Sequence, residues 1–209
     1  SILLIDEHNR ENIREDIDEH LACKPAFSQF SHYAPLPGTP LWNRMHNAGR
    51  LIPGIPWEDM HAFDEPWFYH PNFSCQEAKN IQEEAYQRDF HELGPSILRM
   101  IETEYEGWNY LRKSDKPHLR NRADFFARKM WKYKIVLAAM DYLVPTEQMR
   151  TLVREIRRKV EHSFGTTNSF EKASACGLFL TGWFREFRNR HWGDVIQPHT
   201  QVTHYNDKP

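Results

Sequence analysis

The chain has 209 residues and a net charge of −2, with 40% hydrophobic and 13% aromatic residues, enough for one or two domains with a packed core. No run approaches the ~18–20 uninterrupted apolar residues of a membrane span, no charged-then-apolar leader opens the sequence, and three scattered cysteines form no disulfide framework. A cytoplasmic protein without a membrane partner is expected. The near-neutral total hides an asymmetry: residues 1–107 carry eight Lys and Arg against nineteen Asp and Glu, and residues 108–209 carry nineteen against ten. Halves of opposite sign attract, which suits a helical rear folding back on an acidic front; the alternative is an anionic partner for the rear half.

In chain order, Ile2-Leu3-Leu4-Ile5 reads as a short buried strand. Ile13, Ile17 and Leu21 recur every four residues among acidic ones, which predicts a helix from about Arg10 to Ala22, closed by Cys23-Lys24-Pro25. Ala26–Tyr33 alternates as a second strand. Pro35-Leu36-Pro37-Gly38-Thr39-Pro40 then turns the chain into a helix reaching Asn47 or Ala48. In that turn the prolines fix φ, Gly38 can take φ > 0, Thr39 reads as the N-cap and Pro40 as the first helical residue. Strand, helix, strand, turn, helix is the order that gives parallel strands. Their C-terminal ends, where ligands sit in such architectures, carry Asp6, His8 and His32. Gln29, if it faces inward from the second strand, needs a hydrogen-bonding partner there and is a candidate lining residue.

Residues 51–71 form an irregular loop with four prolines and many aromatic rings, expected to bury those rings; His61 and His70 lie in it as loop histidines or, less simply, as a ligand or base. Ser74-Cys75-Gln76-Glu77 is a capping box that opens a helix stopped by Gly94-Pro95. A second helix runs from Ser96 to Leu111, and Lys113–Pro117 is a polar break. One long helix is expected from Leu119 to Leu143, another from after Pro145 to near Gly165, and a last one over Ser169–Arg190, before a polar tail from Trp192 to Pro209 that is extended or disordered. Basic residues and aromatics interleave in 120–134, but the aromatics keep helical spacing, which points to core, and no nucleic-acid partner is expected.

Three runs carry a resemblance: Asp6-Glu7-His8-Asn9-Arg10-Glu11-Asn12-Ile13, then Pro25-Ala26-Phe27-Ser28-Gln29-Phe30, then Pro35-Leu36-Pro37-Gly38-Thr39-Pro40-Leu41. Together they are similar to the last two β/α units of a radical S-adenosylmethionine (SAM) barrel, in the group whose barrel follows an N-terminal cobalamin-binding domain. Trp57-Glu58-Asp59 through Phe90, with Leu93-Gly94-Pro95-Ser96, resembles the helical extension of that group. The resemblance implies an α/β fragment, two parallel strands closing a partial TIM-type barrel, followed by a mainly helical region. The resemblance covers roughly the first half of the chain; with the polar break at Lys113–Pro117 as the internal boundary, the chain is expected to divide into barrel units over 1–50, an aromatic loop and helical extension over 51–113, and a helical C-terminal region over 114–209.

The implied parent cleaves SAM at a reduced iron–sulfur cluster, uses cobalamin as a further cofactor, and methylates or otherwise transfers a radical. By the same resemblance Asp6, Gln29, His32, Pro37, Gly38 and Thr39 lie beside the SAM. Two departures stand out. Cys23, Cys75 and Cys176 are far too dispersed for the Cys-x₃-Cys-x₂-Cys motif that holds the cluster, and Leu4 stands where the family carries glycine. The chain is therefore expected to be a C-terminal fragment, inactive and without a tightly bound cofactor by itself, whose partner is the N-terminal part of the parent. An exposed sheet edge would favour self-association. The other class is a non-catalytic helical interaction module for an anionic or nucleic-acid partner.

Overall fold

The computed structural model describes residues 1–56, 60, 62–63 and 66–192. In order, the elements are β1 (Ile2–Leu3), α1 (Asn12–Ala22), β2 (Ser31–His32), α2 (Pro40–Asn47), α3 (Cys75–Leu93), α4 (Ser96–Leu111), α5 (Pro117–Ala127), α6 (Met130–Leu143), α7 (Glu147–Phe164) and α8 (Ser169–Trp192).

The partial TIM-type barrel expected from the resemblance is not formed. Among the described residues, eight helices accompany one two-stranded parallel ladder, with Ile2 opposite Ser31 and Leu3 opposite His32. Local causes shorten both strands. β1 ends because Leu4 takes φ 63°, a left-handed conformation that costs an L-residue about 1–2 kcal/mol. β2 begins late because α3 side chains take the backbone groups of Phe30. Its N–H donates to the Tyr86 hydroxyl at 3.1 Å, and its carbonyl accepts from Gln82 Nε2 at 2.8 Å. Next along, the His32 N–H donates to the Ala62 carbonyl at 2.8 Å. The far side of β2 is thus met by α3 and residue 62, instead of presenting the open edge anticipated for self-association.

α1 forms where its stripe of Ile13, Ile17 and Leu21 can be buried, and Asn9 prepares its entry by accepting from the Glu11 and Asn12 N–H groups at 2.8 and 3.1 Å. That stripe packs with Leu3, Leu4, Phe30, Phe73, Ala78 and Ala85 in a first core between α1, the ladder and α3. α3 starts at the Ser74–Glu77 capping box, and the Ser74 backbone N–H, with Arg10 and the Ser74 hydroxyl, holds the Glu77 carboxyl down at about 2. A small second core gathers Met45, Trp67 and Phe68 under α2.

The rear helices α4, α6 and α7 share a larger core of Leu98, Ile101, Tyr105, Met130, Leu137, Val153, Ile156 and Val160. The single helix expected over Leu119–Leu143 is two, α5 and α6, separated at Arg128 and Lys129. Both residues stay near helical angles, so the break is a change of direction and not a loop. It follows from packing: α5 lies on α4, whereas α6 packs on α7 and α8, and Lys129 reaches Glu104 of α4 at 2.7 Å. α8 joins through Lys134 and Glu171, 7% and 6% exposed and 2.9 Å apart, while Glu171 and Asn168 cap the helix start reciprocally.

One buried carboxylate ties front to rear. Asp89 on α3 accepts from both terminal nitrogens of Arg99 on α4, at 2.9 and 2.6 Å, and from the Ser28 hydroxyl at 2.5 Å. Side-chain exposures of 7% for Asp89 and 10% for Arg99 put this pair in the interior. Removing one member strands the other, so Asp89→Ala should lower stability by about 3–5 kcal/mol in urea unfolding, whereas Arg10→Ala at the exposed Glu77 pair should leave the unfolding midpoint nearly unchanged. Leu4 gives a second test. Leu4→Gly and Leu4→Ala lose the same buried side chain, but glycine also relieves the backbone, so the glycine variant should be the more stable by about 1 kcal/mol. An alanine variant of equal or higher midpoint would show that the left-handed turn is not held in solution.

Candidate functional site

The most constrained polar assembly surrounds Ile5–His8, the loop after β1. Arg50, just past α2, makes a two-pronged ion pair with Asp6, at 2.9 Å from Nη1 and 2.7 Å from Nη2, and its Nε donates to the Tyr69 carbonyl at 2.9 Å. His70 donates from Nε2 to the Ile5 carbonyl at 2.9 Å, and its Nδ1 accepts the Asn72 N–H at 3.1 Å. The Asn72 amide donates to the His8 carbonyl at 2.7 Å. His8, 3% exposed, accepts the Ile5 N–H at Nδ1 (3.2 Å), which leaves Nε2 to donate to Asp16 of α1 at 2.6 Å. Two distant segments, Arg50 and 69–72, therefore clamp one short loop from opposite ends.

The chemistry of this loop is that of a brace. The Arg50 guanidinium beside Asp6 holds its carboxyl below the usual carboxylate range, which makes Asp6 a weak base. Burial pushes the His70 imidazole below its ordinary value, against the pull of the Ile5 carbonyl and Asp6, and both ring nitrogens are already engaged.

The other residues expected beside SAM do not converge here. Gln29 does not point inward; it is exposed, and its carbonyl accepts from the Ser1 ammonium at 2.7 Å. His32 is buried beneath the ladder. Pro37 and Gly38 form an exposed surface turn, with Gly38 at φ 82°, and the Thr39 hydroxyl is occupied as the N-cap of α2, accepting from the Trp42 N–H at 3.2 Å and donating to the Leu36 carbonyl at 2.6 Å. Surface cavities lie elsewhere among the described residues, between α1 and α3, between α6 and α8, along α8, and between α3 and α7. Within this chain alone these residues do not converge into a SAM cradle.

Nor do they fit a cluster. Cys23 caps the end of α1, Cys75 opens α3 and Cys176 lies within α8, and no group of three metal-ligating side chains forms among the described residues. His61 and the Trp57-Glu58-Asp59 part of the resemblance, like the tail beyond Trp192, lie outside the described residues. The sequence gives no sign of Arg50, whose partner is 44 positions away, and it leaves His70 as a loop histidine or a ligand or base rather than a brace. Comparison with family models, with curated proteins and with solved structures finds no match to this chain. No helix among the described residues is long and apolar enough to cross a membrane.

The histidine brace has a pH signature. A group whose folded value is depressed contributes stability that is present above its unfolded value, near 6.5 for histidine, and lost as pH falls through the folded one. Wild-type protein should lose stability between pH 7 and pH 5, and His70→Gln, whose amide can keep both hydrogen bonds without titrating, should lose less. Equal losses in chemical denaturation at the two pH values would remove His70 from the account.

Proposed function

We propose that this chain is the C-terminal portion of a radical SAM enzyme of the cobalamin-binding group, contributing a braced loop, a proline-glycine turn and a helical cap to a larger catalytic body. The cluster-binding cysteines, and the site where SAM is cleaved, belong in this reading to the N-terminal part of the parent. The parent would methylate its substrate or transfer a radical in another way; the piece alone would be inactive.

The observation that carries the reading is Leu4. At φ 63° it occupies the backbone region that favours glycine, at the one position where the resemblance has glycine and this sequence does not. A glycine would adopt that conformation without strain, and the chain offsets the strain by burying the leucine completely. The turn supports the reading as well. The Pro35–Leu41 run that carries the resemblance is an ordered turn, with Gly38 at φ 82° and Thr39 as the cap of α2. The barrel itself forms no part of the proposal. In this reading the two-residue ladder and the covered side of β2 suit a cap that positions backbone, rather than a wall of a barrel.

The gene decides first. A reading frame running into Ser1 from upstream and encoding Cys-x₃-Cys-x₂-Cys is the expected result; a start codon at or beside Ser1 would overturn the proposal. In the full-length protein, Gly38→Val should then weaken SAM binding by about tenfold by straining the turn, while Tyr110→Ala, on the exposed face of α4, should leave SAM affinity unchanged. Equal loss from both variants would place the SAM away from this turn.

A further inference from the structure

We propose that the cleft between α6, α7 and α8 binds a small anionic amphiphile, a carboxylate with an acyl or aryl body. The inference stands on the rear helices and does not depend on the reading of the front. Its cavity, about 400 Å³, falls within the usual range of small-molecule sites.

The volume exists because alanines meet where larger side chains would fill the seam. Ala138 of α6 and Ala175 of α8 form the floor. Tyr142 and Phe179 make the walls, their ring centroids 6.0 Å apart and their planes at 65°. Tyr142 is 75% exposed, an aromatic ring with one face unpacked. This body can accept methylenes or a ring, and it offers no buried polar group to leave unpaired.

Charge selects the head group. Arg157 of α7 and Lys172 of α8 stand at the rim. Arg157 is matched by Glu161 at 3.0 Å, and Glu161 is further held by Thr167. The nearby Lys134 and Glu171 neutralise each other beneath the floor. Lys172 has no carboxylate partner among the described residues, so one positive charge at the mouth is uncompensated. Lys172, Cys176 and Phe179 are spaced i, i+4, i+7 and share one face of α8, which sets the cation at one end of the cavity and the aromatic wall at the other. An anion with an apolar tail matches that polarity. The groove between α1 and α3 is of similar size, but its two cations, Arg10 and Arg14, are balanced in its lining by Glu77 and Glu84, and Arg10 is paired with Glu77 at 2.5 Å, so it gives no such preference.

The test is isothermal titration of the full chain with decanoate and with uncharged decanamide, each below its aggregation limit. One decanoate should bind per chain, about tenfold more tightly than decanamide, and each methylene removed from the carboxylate should weaken it about fourfold. Lys172→Gln should erase the preference for decanoate over decanamide, and Lys172→Arg should retain it. Cys176→Trp, placed at an exposed position so that the ring fills the cavity, should abolish binding with the unfolding midpoint unchanged. Should Cys176→Trp itself lower the midpoint, the Lys172→Gln comparison decides alone. Absence of decanoate binding at millimolar concentration, equal affinity for decanamide, or affinities untouched by Lys172→Gln would each overturn the proposal.

Discussion

The Asp89 carboxylate is the point on which the two halves of this molecule depend. A ladder of two residues per strand cannot orient the front of the chain, because it supplies too few backbone bonds to resist rotation. The front is instead fixed by side chains of α3. Asp89 receives Ser28 from the segment before β2 and Arg99 from α4, and one and two turns earlier on the same helix Tyr86 and Gln82 hold the backbone of Phe30. Burying a carboxylate and a guanidinium costs several kcal/mol of hydration per ion; the two-pronged pairing offsets it, helped by the Ser28 hydroxyl on Asp89 and by the Ser96 hydroxyl, which accepts from Arg99 Nη2 at 2.9 Å. What the pair provides is geometry: ladder, α3 and α4 can meet in one arrangement only.

Features written locally were legible in the sequence. The Ile13, Ile17, Leu21 stripe, the Ser74–Glu77 box and the Thr39-Pro40 entry all act within one or two helical turns, and the structure uses each of them. Features decided by distant groups were not. The Ile2–Ile5 run is apolar enough for a strand, yet strand length depends on what pairs with it, and Leu4 leaves the extended region after two residues. The α5–α6 break has no proline or glycine to announce it; it is set by Lys129 reaching Glu104 and by the different neighbours of the two helices.

The candidate site divides in the same way. Asp6 was recognisable by its place after an apolar run, but its role is given by Arg50, 44 residues on, and by the His70 and Asn72 contacts that hold the rest of the loop. Gln29 failed for a stated reason: its inward orientation presumed a strand that extends back to Ala26, and the backbone there is engaged by side chains instead. The apolar cleft between α6 and α8 had no sequence signal at all, because alanines at a helix crossing read as ordinary helix formers until their neighbours are known.

Leu4 shows how these levels combine. Its backbone conformation is unfavourable by about 1–2 kcal/mol, and full burial of a leucine returns roughly 1.5–3 kcal/mol. The two are close enough in size that the turn survives only while the first core stays packed around it. Strain of this kind persists where the surroundings over-determine the position, and here they do: Ile13, Ile17 and Phe30 share the core with Leu4, and the loop beyond it is clamped by Arg50, His70 and Asn72. The direction in which the chain leaves β1, and with it the position of Asp6, is therefore set by packing on one side and hydrogen bonds on the other, with little left to the ladder. A loop held in this way keeps its shape without a complete sheet beneath it.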